Sequence, residues 1–370
     1  MIYLDAAATS LHKPPSVTAA VVEAILHFGN PGRGAHEPAM AASHCVFNGR
    51  KAVGELFCVK PEQVVFTSSA TEGLNMVIAG LLSPNDHVLT TVLEHNSVLR
   101  PLHKLAYTAV GLKGGAPDYS RFAKALRPNT RAVVITAASN VTGLVVDLEF
   151  VAEFCKRHDL YFIVDAAQTA GLLPISVKAL GISALCFTGH KSLFGPQGIG
   201  GICVGEGVEI APTKFGGTGS DSFDIVPGKM PERLEAGTLN TPGIAGLVAG
   251  IEYIRQYGMD NILLKARGLA RGFHDEVSRI PNVRIYSNEP EVPIIALNIG
   301  DMDSAMVEYY LASEYGISVR GGVHCAPLLH KAYGTEKQGM VRFSFSCFNT
   351  QEEVVAAVEA VAAIASMESE

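Results

Sequence analysis

Apolar runs of strand length alternate with amphipathic stretches of helical length along most of this 370-residue chain. Near-continuous apolar strands that are separated by helices indicate a mostly parallel sheet covered by helices on both faces. The predicted strands are QVVFTSS, DHVLTTVLEH, RAVVITAAS, YFIVDAAQ, ALCFTGH and IGGICVG, and the predicted helices between them lie at 70–82, near 97–107 and at 148–158. The sequence therefore predicts an α/β fold with a large, mostly parallel sheet.

A second unit of alternating strands and helices follows a long helical stretch at about 243–279. Its predicted elements are VPIIALNIG, MVEYYLASEYG, ISVR, MVRFSFS and the helix QEEVVAAVEAVAAIAS. We interpret this part as a smaller α/β domain formed by residues 1–11 and 255–370, beside a large domain at 12–254. Two Gly/Pro-rich segments are predicted to be mobile or site-forming loops, namely 29–38 and 214–232.

Composition excludes several classes of function. A hydrophobic fraction of 48% and a charged fraction of 18% are ordinary for a well-buried globular protein. The formal net charge of −7 argues against nucleic acid or an anionic membrane as a main partner. No window has the length of apolar sequence that a membrane span needs, and the start MIYLDAAATS lacks the pattern of a signal peptide. We expect a cytoplasmic protein.

The seven cysteines give no sign of a disulfide framework or a metal site. Their number is odd, no Cys-x-x-Cys occurs, and no His/Cys spacing suits zinc. Most of them lie in apolar runs, where a free cysteine packs as a small hydrophobe. Cys325 differs because it lies in a Gly/His/Pro segment without apolar periodicity, so we expect it on a surface loop facing a cleft. Arg320 or a protonated His324 is expected to favour its thiolate.

A lysine, Lys191, lies three residues after the apolar run ALCFT, in the stretch CFTGHKSLFGPQGIGG. A lone lysine in such a place usually reaches solvent. Here, however, polar side chains follow most of the other predicted strands as well, and ligands of open parallel sheets bind beyond the carboxyl ends of the strands. These residues are Ser68, Ser69, Thr71, Glu94, His95, Ser139, Asn140, Asp165, Gln168, Thr188, His190 and Lys191. Each alone fits a cap, a turn or a core position, but together they predict a binding site.

This combination of side chains is typical of a site for pyridoxal phosphate. A lysine is almost wholly protonated in water, with a pKa of ~10.4, and a Schiff base with the cofactor aldehyde keeps it reactive. A carboxylate such as Asp165 keeps the pyridine nitrogen protonated, so that the ring accepts electrons. A helix N-terminus with hydroxyl groups, as in SSATEGLN, suits the phosphate, and the flat ring of His95 suits stacking.

The motifs along the chain resemble, in order, those of class V aminotransferase-fold enzymes, which have fold type I. The group they resemble most is that of the cysteine desulfurases and selenocysteine lyases. The motifs are YLDAAATS, NPGRGAH, FTSSATEGLN, EHNSVL, SNVTG, VDAAQ, FTGHK, GPQGIG, RLEAGTLNT, RGGVHCA and VRFSFSCFNT. Only four residues separate Arg320 from Cys325, which resembles the short-loop type within this group.

The resemblance implies a role for each matching residue. Lys191 would bind the cofactor aldehyde, Asp165 the pyridine nitrogen and Gln168 the ring phenolate, while His95 would stack on the ring and take part in catalysis. The implied phosphate ligands are Ala70, Thr71, Thr188 and His190, with Thr238 reaching the phosphate from the other subunit of a homodimer. The implied substrate ligands are Arg342, Asn140 and His36. Cys325 would be the cysteine that accepts sulfur.

The expected function is a pyridoxal-phosphate-dependent cysteine desulfurase that converts cysteine to alanine and carries a persulfide on Cys325, with a sulfur-acceptor protein as a possible partner. The alternatives are a selenocysteine lyase or another C–S β-lyase, in which Cys325 is secondary. A transaminase would leave Cys325 without a role. An inactive scaffold for a sulfur-transfer partner would need neither Lys191 nor Asp165 nor Arg342.

Overall fold

The computed structural model describes residues 1–32, 34–218, 223–226 and 228–367. Residue 33 of the predicted loop 29–38, and residues 219–222 and 227 of the predicted loop 214–232, lie outside the described residues.

The strands alternate with helices along the chain, as the sequence predicts. They are β1 (Ile2–Tyr3), β2 (Val64–Thr67), β3 (His87–Thr91), β4 (Ala106–Val110), β5 (Leu112–Lys113), β6 (Ala116–Pro117), β7 (Thr130–Thr136), β8 (Tyr161–Asp165), β9 (Ala184–Thr188), β10 (Gly200–Val204), β11 (Val283–Ile285), β12 (Ile294–Ile299), β13 (Ile317–Ser318) and β14 (Val341–Ser344).

The helices cover both faces of the large sheet and one side of the small one. They are α1 (Pro15–His27), α2 (Glu37–Phe57), α3 (Ala70–Leu81), α4 (Asn96–Leu102), α5 (Phe122–Ala125), α6 (Leu148–His158), α7 (Val177–Leu180), α8 (Thr241–Tyr257), α9 (Met259–Val277), α10 (Ser304–Ser313), α11 (Pro327–Tyr333) and α12 (Gln351–Met367). Within the described ranges, no helix is both long and apolar enough to cross a membrane.

Seven strands form the large sheet, in the order β2-β10-β9-β8-β7-β3-β4. Strands β4, β3, β7, β8 and β9 pair in parallel, whereas β10 is antiparallel to both β9 and β2. The predicted large, mostly parallel sheet is confirmed. Because β2 runs in the same direction as β9, the segments that follow β2, β3, β7, β8 and β9 all begin at one edge of the sheet.

A smaller sheet of β11, β12 and β14 carries α9, α10 and α12, with its own hydrophobic core around Phe273, Phe343 and Leu311. Leu4 belongs to this core. β1 pairs in parallel with β13, so the N-terminal segment lies with the C-terminal part of the chain. The division into domains at 254 and 255 stays a prediction.

Two predicted helices differ from the structure. The helix predicted near 97–107 ends at Leu102, after the helical residue Pro101, and the chain then enters β4, which pairs with β3. The long helical stretch predicted at 243–279 is two helices, which meet at Gly258 with a φ of +91°. Glycine adopts this conformation without the steric cost that other residues bear.

Candidate active site

Nearly all of the predicted site residues line one cavity of about 260 Å³ at the carboxyl edge of the large sheet. The cavity is therefore built from several separate turns, as expected for a parallel sheet. The predicted residues that line it are Ala70, Thr71, His95, Asn140, Asp165, Gln168, Thr188, His190, Lys191, Cys325 and Arg342. Thr238 and His36 do not line it.

Lys191 and Asp165 form the electrostatic centre of the cavity. Burial lowers the pKa of Lys191 to about 8, although the charge of Asp165 acts in the opposite direction. The Asp165 side chain is 4% exposed, and burial raises the pKa of its carboxyl group above the usual value. The Ala167 N–H donates to Asp165 Oδ1 at 2.9 Å and favours the carboxylate. The Lys191 ammonium group therefore loses its proton more readily than a lysine in water. The backbone of Ala167 holds the neighbouring Asp165 carboxyl group in place.

Glu94 is a second buried acid close to Asp165. It is fully buried, accepts a hydrogen bond from Thr91 Oγ1 at 2.7 Å, and its Oε2 has no partner among the described residues. Burial raises its pKa to about 8, and the charge of Asp165 adds to this effect. At neutral pH Glu94 is therefore mainly protonated.

Hydroxyl groups and the N-terminus of α3 form the other end of the cavity. Ser69 caps α3 by accepting from the Glu72 N–H at 3.2 Å. The buried Thr188 Oγ1 has no hydrogen-bond partner among the described residues. The backbone of Gly200 passes so close to Ser69 that a Cβ there would lie 2.9 Å from the Ser69 Cα. This end offers the donors and the positive helix end that bind phosphate groups.

Ser97 fixes the proton position on His95. The Ser97 N–H donates to His95 Nδ1 at 3.0 Å, and Ser97 Oγ lies 2.8 Å from the same nitrogen. The neutral ring therefore carries its hydrogen on Nε2. Burial, with help from the charge of Lys191, lowers the pKa of His95 to about 4. Ser97 Oγ also lies 2.7 Å from Thr71 Oγ1, which links His95 to the N-terminus of α3.

The N-terminal segment closes the cavity from the other side. Gln168 Nε2 donates to the Ala7 carbonyl at 3.2 Å, and His190 Nδ1 lies 3.0 Å from Thr9 Oγ1. Burial lowers the pKa of His190 to about 4, and the charge of Lys191 adds to the effect. His190 and Gln168 are thus held by residues that are far away in sequence.

Asp5 holds the predicted substrate-binding arginine. Arg342 is 2% exposed, and it donates from Nη2 to Asp5 Oδ1 at 2.7 Å and from Nη1 to the Asn140 carbonyl at 2.9 Å. Arg320 Nε lies 3.7 Å from Asp5 Oδ2. The Arg342 Nε has no partner within the described part of the chain. Asp5 therefore orients Arg342 and offsets part of the positive charge of two arginines, while one donor of Arg342 stays available.

The Cys325 segment adopts an unusual backbone. His324 and Cys325 both lie in the left-handed region, with φ values of +49° and +57°, and such residues carry a strain of about 1–3 kcal/mol each. Hydrogen bonds from the large sheet domain hold the segment: the Asn96 N–H donates to the Cys325 carbonyl at 2.7 Å, and Asn140 Nδ2 donates to the His324 carbonyl at 2.8 Å. The thiol of Cys325 is exposed.

His324 does not provide the positive charge that the sequence suggested. Its ring is buried, and its Nε2 donates to the Met340 carbonyl at 2.9 Å. Burial, with the charge of Arg342 as a smaller cause, lowers its pKa to about 3. The expectation of a protonated His324 beside Cys325 is therefore wrong, because burying an imidazolium without an anionic partner costs too much.

The burial of neutral His324 leads to a prediction about stability. The folded-state pKa of about 3 lies below the usual 6.5, so this group contributes stability above pH 6.5 that is lost as the pH falls towards 3. We expect this group to lower the free energy of unfolding by about 1.4 kcal/mol for each pH unit below 6.5. His324→Gln keeps a donor for the Met340 carbonyl. The variant should take up about one proton fewer on unfolding, so its free energy of unfolding should fall less steeply as the pH is lowered. Urea unfolding between pH 7 and pH 5 measures it.

The control for this prediction is His12→Gln, because His12 is exposed. This variant should unfold with the pH dependence of the unmodified protein. If the free energy of unfolding depended on pH equally in His324→Gln and the unmodified protein, the pKa of His324 would be the same in the folded and unfolded states, which would contradict the prediction.

Thr238 and His36 lie outside the cavity. Thr238 is exposed and lines a separate depression of about 750 Å³ together with Arg50 and Glu235. His36 is exposed and caps α2, with its Nδ1 accepting from the Ala39 N–H at 3.4 Å. The roles implied for these two residues stay predictions.

Asp5, Ser97 and Arg320 are polar residues of the site that were not predicted as site residues from the sequence. Asp5 and Ser97 lie within the motifs YLDAAATS and EHNSVL. Their place in these motifs was the only feature of the sequence that could have identified them as site residues. Arg320 was considered only for its charge near Cys325. Their contacts depend on the pairing of distant segments, such as the bridge between Arg320 and Arg342.

The residues present fit pyridoxal phosphate. One cavity contains a lysine with a lowered pKa, a buried carboxylate, a neutral histidine ring, and a phosphate-binding end formed by the N-terminus of α3 and the buried Thr188 hydroxyl, which has no partner among the described residues. These are the groups required by an aldehyde, a pyridine nitrogen, an aromatic ring and a phosphate, respectively.

Comparisons with known proteins agree with this site. The model of the aminotransferase class-V family matches residues 2–356. A probable cysteine desulfurase of Methanothermobacter thermautotrophicus is 31% identical, over 99% of this chain and 95% of its own length. A cysteine desulfurase of Escherichia coli is 32% identical, over 96% of this chain and 91% of its own length. The apo structure of a cysteine desulfurase from Thermococcus onnurineus has a TM-score of 0.91 and 31% identity, over 99% of this chain and 95% of that one. The chain belongs to the class-V aminotransferase family.

Proposed function

We propose that this protein is a pyridoxal-phosphate-dependent cysteine desulfurase, which converts cysteine to alanine and takes the sulfur on Cys325. The observation that carries the proposal is the shared cavity of Lys191, Arg342 and an exposed cysteine. A lysine and an arginine suit an amino-acid substrate in general, whereas an accessible thiol beside them suits sulfur transfer in particular.

The cofactor would be held by residues from both ends of the cavity. Lys191 would bind its aldehyde, Asp165 its ring nitrogen and Gln168 its phenolate oxygen. The phosphate would be held by the N-terminus of α3 with Ala70 and Thr71, and by Thr188 and His190. When bound, the cofactor withdraws electrons from the substrate and so makes its bonds at the α- and β-carbons labile.

Lys191 supplies the base for the reaction. Because burial lowers its pKa to about 8, a useful fraction of its Nζ is unprotonated near neutral pH, and a base with a pKa near the working pH is efficient. When it is not bound to the cofactor aldehyde, Nζ would move the proton of the substrate α-carbon. A negative charge on Asp165 raises the pKa of this lysine and so opposes the effect of burial.

Arg342 orients the substrate through its carboxylate. Asp5 and the Asn140 carbonyl fix the plane of the guanidinium group, which leaves the Nε–H to donate. A donor that is already fixed loses little conformational entropy when the substrate binds. The Asn140 side chain also holds the His324 carbonyl, so one residue contacts both Arg342, through its backbone carbonyl, and the Cys325 segment.

Cys325 removes the sulfur. Its thiolate attacks the sulfur of the substrate, the bond between that sulfur and the β-carbon breaks, and the amino-acid part leaves as alanine after protonation. The new S–S bond makes Cys325 a persulfide. Hydrogen bonds from Asn96 and Asn140 hold the backbone of His324 and Cys325 beside the cavity.

Measurement of the products from two substrates tests the proposal. Purified protein with cofactor should form alanine from cysteine and, in the presence of a reducing thiol, an equal amount of sulfide. A selenocysteine lyase would instead form alanine from selenocysteine with little or none from cysteine. Absence of alanine from both substrates would exclude either activity and favour the scaffold.

We also propose that the active form is a homodimer in which Thr238 completes the phosphate site of the other subunit. The segment with Thr238 is anchored by a buried ion pair: Arg50 donates to both carboxylate oxygens of Glu235, at 2.9 and 2.6 Å, and the Phe66 N–H donates to the same carboxylate at 2.7 Å. Exposed Thr238 thus lies three residues after an anchored position, and it does not line the cavity that contains Lys191.

Thr238→Val should weaken cofactor binding about tenfold or more, because a hydrogen bond to a charged group contributes about 1.5–3 kcal/mol. The dissociation constant is measured by dialysis against known cofactor concentrations. Thr18→Val, an exposed change on α1, should bind the cofactor as the unmodified protein does. An active monomer in sedimentation would contradict the dimer and remove Thr238 from the site.

A further inference from the structure

One ion pair covers the open side of β2, which is an edge strand of the large sheet. β2 pairs with β10, and no other described strand lies beside it. On the open side, the Phe66 N–H donates to Glu235 Oε1 at 2.7 Å, and the Val64 carbonyl accepts from Arg50 Nη1 at 2.5 Å. An edge strand otherwise leaves such backbone groups unpaired. The carboxylate and the guanidinium group therefore take the place of a neighbouring strand.

The Arg50–Glu235 pair is held in one geometry from several sides. Its side chains are 10% and 6% exposed, and Arg50 donates to both carboxylate oxygens of Glu235. The guanidinium carbon of Arg50 lies 5.1 Å from the centre of the Phe66 ring. α2 approaches this ring closely, since a Cβ on Gly49 would lie 3.0 Å from Phe66 Cζ. A buried bidentate pair with such neighbours is fixed in position as well as in orientation.

One side of the pair leads to the phosphate-binding end of the cavity in the same chain. Ala70, the first residue of α3, comes four positions after Phe66. The connection is fixed, because Thr67 Oγ1 donates to the Ser69 carbonyl at 2.8 Å and Ser69 caps the helix. A shift of β2 at Phe66 would therefore move the N-terminus of α3, which the proposed function assigns to the cofactor phosphate.

The other side of the pair leads to Thr238, three positions after Glu235. Three residues span at most about 11 Å, and the segment has a further contact, from the Gly237 N–H to the Gly217 carbonyl at 2.8 Å. Arg50, Glu235 and Thr238 line the same depression of about 750 Å³. A shift of Glu235 would therefore move Thr238 as well.

We propose that Arg50 and Glu235 are positioning residues for both phosphate sites of the dimer, an inference that rests on the proposed function. Through β2 the pair places the N-terminus of α3 in its own subunit. Through the segment 235–238 it places Thr238 in the site of the other subunit. Neither Arg50 nor Glu235 lines the cavity that contains Lys191, so both act on cofactor affinity through the residues that they hold.

Mixed dimers test the proposal, because they separate the two routes. One subunit keeps Lys191 and the other carries K191A, so that borohydride fixes the cofactor in one site of the dimer only. E235Q is placed either in the subunit with Lys191 or in the subunit with K191A. The dissociation constant is obtained from the amount of cofactor fixed at increasing cofactor concentration. We expect each arrangement to raise it about fivefold, which corresponds to the usual contribution of one neutral hydrogen bond.

A second variant separates positioning from stability. E235Q leaves the charge of Arg50 buried without its partner, which lowers the free energy of unfolding. R50M/E235L removes both charges, and replacement of a buried ion pair by apolar residues is often neutral for stability. The Phe66 N–H and the Val64 carbonyl still lose their partners. R50M/E235L should therefore weaken cofactor binding in both arrangements as E235Q does, with a smaller loss of stability in urea unfolding.

The matched control is E353Q, which makes the same change in a carboxylate of α12 that accepts from the Thr350 N–H at 3.1 Å. It should leave the dissociation constant unchanged in both arrangements. A loss of affinity in only one arrangement of E235Q and R50M/E235L, or in neither, would overturn the proposal. If no mixed dimer formed, or if T238V in the K191A subunit had no effect, the proposed dimer itself would be contradicted, and this inference with it.

Discussion

Lys191→Ala should abolish the conversion of cysteine, with a loss of at least about 10⁴-fold. The change removes both the covalent hold on the cofactor and the base of the proton transfer, and proton transfer alone contributes about 10²–10⁴. Asp165, Gln168, Thr188 and His190 remain, so the variant should still bind the cofactor loosely. Alanine formation and cofactor absorbance, measured on the same sample, separate these two effects.

The position of the covalent bond provides a second readout for this prediction. Reduction of the unmodified protein with borohydride and digestion should leave the cofactor on a peptide that contains Lys191. Lys156→Ala, an exposed change on α6, should retain full activity. Cofactor trapped on Lys156 or Lys214 would contradict the assignment of Lys191.

Cys325→Ala should lower alanine formation from cysteine by two or more orders of magnitude. This loss corresponds to at least about 2.7 kcal/mol of transition-state stabilisation, at 1.36 kcal/mol for each factor of ten. Cofactor binding should not change, because the predicted cofactor ligands are other residues. Activity on selenocysteine should fall much less, since a selenolate leaves without attack by a thiolate.

Cys58→Ala is the matched control for Cys325→Ala, because Cys58 is also exposed but lies at the end of α2. It should turn over cysteine at the unmodified rate. If Cys325→Ala turned over cysteine at that rate as well, the persulfide route would be wrong and the lyase alternative would take its place.

The main parts of the active site were predictable because parallel strands end at one edge of a sheet. Asp165, Lys191 and His95 each follow an apolar run that forms a strand, so the sequence order of strands and polar residues was enough to bring them together. The direction of β10 was not predictable, since its apolar run looks the same in either direction. It matters for the site, because β9 and β10 form a hairpin whose connection carries Lys191.

The parts that were missed depend on contacts between distant segments. Asp5 contacts Arg342 because the N-terminal segment pairs with β13 and Asp5 bridges to Ser344. The residues next to Asp5 in the sequence do not predict this pairing. Helix α2 begins at Glu37, within the predicted loop 29–38, because His36 caps it and Pro38 occupies its first turn. The glycines and prolines before Glu37 are typical of a loop, so the start of the helix was not predicted.

One turnover in the absence of any acceptor tests the central claim most directly. The unmodified protein with cofactor is mixed with one equivalent of cysteine, digested and analysed by mass spectrometry. The proposed function predicts one alanine per active site and a mass increase of one sulfur atom on the peptide that contains Cys325. Alanine with free sulfide and an unmodified Cys325, or the added sulfur on Cys58, would contradict it.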